Sequence, residues 1–136
     1  MEINARQSQS HADLFEQVDG VTNHEVMVAL ALGEQPRMPR GEGVHRAAAK
    51  WFIRAWRDGV VDRVPSDDEL ADLHSRFPNA SVHIEVVEGD RLADLNDQGS
   101  YSYELATVDA AASSRRQLLD DHRALLAELP LTVGRP

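Results

Sequence analysis

Val44-His45-Arg46-Ala47-Ala48-Ala49-Lys50-Trp51-Phe52-Ile53-Arg54-Ala55-Trp56-Arg57 holds both tryptophans of the chain, one of its three phenylalanines and four of its fourteen basic residues. Val44, Ala48, Trp51, Phe52, Ala55 and Trp56 recur at three- and four-residue spacing, which predicts a helix with one apolar stripe. Arg46, Lys50, Arg54 and Arg57 then stack as a basic ridge on another face. The two tryptophans are five residues apart, about 140° around a helix axis, so one face cannot bury both. Trp56, beside Arg54 and Arg57, is therefore a candidate binding hot spot, with core packing as its plainer role.

The charge distribution gives this stretch its interest. The formal net charge is −9, yet between Glu34 and Arg63 seven basic residues face four acidic ones. The preceding segment, Gln35 to Gly43, contains two prolines and two glycines, so it is a loop, and Arg37 and Arg40 make it a basic one. Such asymmetry suits an anionic partner, or self-association in which the ridge meets an acidic face of a second copy. The plain alternative is neutralisation by acidic groups of the same chain. An overall acidic charge argues against nucleic-acid binding, which rests on a surplus of lysine and arginine. Thirteen of the fourteen basic residues are arginine, Lys50 being the exception, a bias that carries no chemistry of its own.

Upstream, residues 1–9 are polar and without period, a lead-in. Ser10 is placed to cap a short helix carrying Leu14, Phe15 and Val18 that stops at Asp19-Gly20. Thr22 with Glu25 forms a second capping signal. The helix it opens, to about Leu32, is apolar nearly all round, which assigns it to the centre of the core. Downstream, Val60 to Pro65 is extended. Ser66-Asp67-Asp68-Glu69 then starts a helix through Leu70, Leu73 and Phe77, its acids placed for the macrodipole more economically than for a cation.

From Val82 the period changes to two. Val82, Ile84 and Val86 form one strand and Tyr101, Tyr103 and Leu105 another; Arg91 to Leu95 is either a middle strand, completing a three-stranded meander, or part of a long connection. Asp109 is read as the cap of a last helix, Ala110 to Leu129, striped by Leu118, Leu125, Leu129 and His122. Residues 130–136 form a tail. The expected fold is α+β and mainly helical: about five helices, with one small two- or three-stranded antiparallel sheet before the C-terminal helix, in a single domain over residues 10–129.

Without cysteine there is no thiol catalysis, no thiolate metal site and no disulfide. No phosphate-binding glycine motif, nucleophile elbow, HExxH or EF-hand loop occurs either, and no cofactor is implied. His83 and Glu85, two apart on a strand, share a face and are weak candidates for metal or acid–base chemistry. Met1 is followed by polar residues and the longest apolar run, Val26 to Leu32, is too short to span a bilayer, so a soluble cytoplasmic protein is expected.

These readings converge on a non-catalytic interaction or assembly protein. It would act through the ridge (Arg46, Lys50, Arg54, Arg57), the loop cations Arg37 and Arg40, Trp56 and the leucine-striped last helix, with a protein partner that is a second copy or a larger assembly. Two alternatives stand beside it. One is a nucleic-acid-binding module, because helices followed by a β-hairpin follow a winged-helix order. The other is a small enzyme using His83 and Glu85. Against the nucleic-acid reading, the helix before the sheet opens with three acids, which phosphates would repel.

Overall fold

The computed structural model describes residues 11–95 and 101–135. They form four α-helices, α1 (Ala12–Asp19), α2 (Asn23–Ala31), α3 (Asp67–Arg76) and α4 (Arg115–Glu128), and five strands, β1 (Ala47–Ala55), β2 (Val60–Arg63), β3 (Ala80–Ile84), β4 (Tyr103–Ala112) and β5 (Thr132–Gly134). The strands build two sheets, one ordered β1-β4-β3 and one pairing β2 with β5. The class is α+β. A mainly helical chain of five helices with one small sheet is corrected on both counts.

The largest correction falls on the opening stretch. It is strand β1, not a helix. Arg46, Lys50 and Arg54 are four apart, and four residues is close to one helical turn and also two strand repeats, so these cations share a face in either geometry. The alanines supplied helix propensity, but β1 pairs in a sheet, and such pairing overrides a local preference of tenths of a kcal/mol per residue. The same error recurs at Ala110-Ala111-Ala112. These residues belong to β4, so Asp109 lies inside a strand and caps nothing. Helix α4 starts five residues later, where the backbone N–H of Gln117 donates to Ser114 Oγ at 3.2 Å.

Of the two readings of Arg91 to Leu95, the middle strand of a meander is corrected and a connection is found. β3 pairs directly and antiparallel with β4, from Ala80↔Ala110 to Ile84↔Ala106. Leu92–Asp94 between them is a single 3-10 turn, and Arg91 makes an isolated bridge to Val60. The expected C-terminal tail contributes β5, whose partner is the extended segment anticipated at Val60.

The chain divides into two compact units, Met1–Ala49 with Ala111–Leu118, and Lys50–Ala110 with Leu119–Pro136. The second unit holds a core of Val61, Val86, Leu92 and Leu105, joined by Ala55, Val64, Ile84, Tyr103, Leu131 and Val133. The connection after β1 is clamped by Asp58. Its carboxylate accepts from the Arg91 guanidinium at 3.0 and 3.2 Å, from Gly59 N–H at 2.9 Å and from Ala93 N–H at 3.0 Å. Desolvation pulls the Asp58 pKa upward, but these donors outweigh it and hold the carboxyl below its ordinary value. In α3, Ser66 Oγ accepts from Glu69 N–H and Glu69 accepts from Ser66 N–H at 2.9 Å, the capping box its sequence announces.

In the first unit, α1 ends at Gly20 in the left-handed region, φ 79°. The expected cap Ser10 lies outside the described residues. The loop after α2 folds back onto the end of α1: Gly43 N–H donates to Val18 C=O and His45 N–H to Gln17 C=O, each at 2.9 Å. A Cβ at Gly43 would overlap the Gln17 carbonyl oxygen and the Val18 backbone, so only glycine permits this approach.

Candidate functional site

Helix α2 is locally complete. Thr22 Oγ1 accepts from Glu25 N–H at 3.1 Å, and Glu25 in turn receives the Thr22 hydroxyl at 3.1 Å. At the other end Gly33, φ 74°, lets Glu34 N–H donate to Ala29 C=O at 2.9 Å. Caps of this kind are worth about 1 kcal/mol each, but a helix of this length still needs tertiary contact to persist. Val26 and Ala29 provide it from a half-buried side.

The other side is the unexpected feature. An element apolar nearly all round was assigned to the centre of the core, yet no residue of α2 is buried. Met27 is 48% exposed, Val28 55%, Leu30 59% and Leu32 69%. With exposed Ala31 they cover an arc of roughly 200° at the 100° per residue of a helix, and from Val26 to Gly33 no residue is charged. Beside the arc lies a groove of about 430 Å³, lined on its apolar side by Phe15, Val21, Val26 and Met38 and elsewhere by polar groups that include Asp19 and Arg40. Phe15 and Met38 are themselves exposed. Contiguous apolar surface of this extent on a monomer ordinarily marks a binding face. The sequence signal was present as the charge-free run; its burial was misassigned because periodicity alone does not reveal what lies opposite.

The cationic candidates separate. Lys50 Nζ is 3.1 Å from Asp109 on β4, with both side chains largely buried. Arg54 pairs with Glu104 at 2.7 Å, donates to Ser102 Oγ at 3.0 Å and lies over the Phe52 ring. Arg46 donates to the Gly41 carbonyl, and Arg37 pairs with Glu42, each at 2.6 Å. Arg40 and Arg57 are exposed and have no ionic partner among the described residues. Trp56, just past the end of β1, is 73% exposed. Of the predicted ridge, Lys50 and Arg54 lie on β1 and are engaged by acids of β4, whereas Arg46 precedes the strand and Arg57 follows it.

His83 and Glu85 are both exposed, His83 on β3 and Glu85 just after it. Among the described residues no group of three histidines or acids is placed to hold a metal ion. His122 of α4 stacks flat on Trp51 of β1, with ring centroids 3.8 Å apart and planes within 8°. Its Nδ1 is buried and has no hydrogen-bond partner among the described residues. Desolvation, followed by the nearby Arg123 charge, pushes its pKa below the ordinary histidine value. Among the described residues no helix is long and apolar enough to cross a membrane.

Neither a protein-family model, nor a curated protein, nor a solved structure matches this chain.

Proposed function

We propose that this chain is a non-catalytic protein–protein interaction or assembly module whose docking surface is the outer arc of α2. The observation that carries this reading is the exposure of Met27, Val28, Leu30 and Leu32 on a capped, charge-free helix. A well-packed fold does not need those side chains, so their apolar character is accounted for by a partner that covers them. The ridge takes a lesser part in this reading because Lys50 and Arg54 are held by Asp109 and Glu104. Arg40, at the rim of the groove beside the arc, remains available to orient a partner.

The test is the mass of the particle that contains the chain, measured on purified protein by light scattering and in gently lysed source cells by sedimentation. Wild type is expected in a particle heavier than the 15.1 kDa chain in at least one setting. Leu30→Glu with Leu32→Glu should return it to the chain mass while leaving circular dichroism unchanged, because both side chains are exposed. Wild type at the chain mass in both settings refutes the proposal.

A further inference from the structure

We propose that the occupant of the α2 arc is the same arc of a second copy, the two helices packed antiparallel about a twofold axis near the level of Ala29. This rests on the reading of the arc as an interaction surface and adds the partner and its register. Three observations point to a second copy.

The first is area. Met27, Val28, Leu30 and Leu32 at their observed exposures present roughly 400 Å² of apolar surface, and Phe15 and Met38 raise this to about 650 Å². A standard interface covers about 800 Å² per partner, about 65% of it apolar in homodimers, so it requires on the order of 500 Å². One patch of this size, self-matched, meets that need.

The second is charge. A chain at −9 meets its own copy against a general repulsion, and contact is least opposed through a face that carries no charge, as Val26 to Gly33 does. Orientation follows from the ends of the helix. His24 stands in the first turn of α2 and Glu34 lies just past its C-terminal end, on either side of the charge-free run. Antiparallel packing brings His24 of each copy to Glu34 of the other and opposes the helix dipoles favourably, whereas parallel packing sets Glu25 and Glu34 against their own copies.

The third is shape. In this register Met27 of each helix lies over Ala31 of the other, a long flexible side chain against the smallest residue of the arc, and Val28 of each copy lies beside Val28 of the other. The twofold axis makes each contact occur twice.

The absence of cysteine makes the register directly readable, since any introduced thiol is the only one. Val28→Cys places the two sulfurs about 3 Å apart along the axis, so oxidation should cross-link most of the protein into a covalent dimer. His24→Cys places them about 15 Å apart and should not cross-link. Before oxidation, light scattering of these variants and of wild type should give twice the chain mass. A monomeric purified protein overturns the second copy. If it still enters a larger particle in cells that Leu30→Glu/Leu32→Glu abolishes, the interaction-surface reading stands. A dimer in which His24→Cys alone cross-links overturns the antiparallel register. A dimer unaffected by Leu30→Glu/Leu32→Glu overturns both.

Discussion

His122→Phe should stabilise the second unit, and by more as the solution is acidified. The ring of His122 is stacked on Trp51 at 3.8 Å, so a phenyl ring of similar outline keeps the aromatic contact, worth about 0.5–1.5 kcal/mol. What it removes is the buried, unpartnered Nδ1, and an orphaned buried polar atom costs roughly 1–3 kcal/mol. Allowing for the solvent contact the other nitrogen gives up, a gain of about 1 kcal/mol is expected near pH 8. The pH dependence follows from the direction of the His122 shift. Burial, then Arg123, lowers its pKa in the folded protein below the 6.5 of the free side chain. In the window between the lowered value and 6.5 the unfolded chain takes up a proton that the native protein refuses. The neutral-histidine contribution is therefore complete above 6.5 and is lost as the pH falls. The phenylalanine variant has no such loss, so its advantage over wild type must widen from about pH 8 to about pH 5.5. Asp58 and Glu69, whose pKa values are also lowered in the fold, lose their contributions at lower pH and equally in both proteins, so they cancel in the difference. Urea unfolding followed by tryptophan fluorescence reads it directly, because Trp51 reports the stack. A gap that stays constant over this range shows that the native imidazole takes up its proton as readily as the unfolded one. A variant less stable than wild type near pH 8 shows that Nδ1 has a partner.

Two further substitutions test the reading of the fold. Gly43→Ala should cost about 3 kcal/mol or more, since its methyl group would enter the Gln17 carbonyl and break the 2.9 Å bonds tying residues 43 and 45 to the end of α1. Gly89→Ala, at φ 88° with open space around it, should cost only about 1 kcal/mol; equal losses in thermal melts would mean that the α1 strap is not closely packed. Lys50→Gln should destabilise by about 1–3 kcal/mol, between an exposed and a fully buried pair, because Asp109 would remain largely buried without its cation. Arg37→Gln, in an exposed pair with Glu42, should stay within about 0.5 kcal/mol, and Asp109→Asn on top of Lys50→Gln should recover part of the loss. Strict additivity in that cycle would mean that the ammonium and the carboxylate do not interact.

What could be read from the sequence follows from how local each signal is. The capping boxes Thr22/Glu25 and Ser66/Glu69 lie within one helical turn, and both helices start where those residues place them. The alternation at Val82, Ile84 and Val86 needs only neighbouring residues, and a strand is found there, although β3 begins two residues earlier at Ala80 and ends at Ile84, before Val86. The two alanine-rich runs, Ala47 to Ala49 and Ala110 to Ala112, failed together and for one reason. They lie on adjacent strands, with Arg46 N–H donating to the Ala112 carbonyl at 2.9 Å, so the pairing that makes either a strand is supplied by residues about 65 positions away. Alanine's helical preference is a fraction of a kcal/mol and had no local rival in the sequence. The cations on β1 were misread by the same route: their spacing of four fixes a shared face without fixing which element owns it, and their partners, Glu104 and Asp109, come from the strand that was taken in part for a helix. The arc of α2 is the opposite case. Its composition was legible to the residue, and only its surroundings were not, because an all-apolar helix satisfies the same pattern whether the surface that covers it belongs to its own chain or to another. That ambiguity is physical, and covering α2 with a second copy would resolve it without altering a single internal contact of the fold.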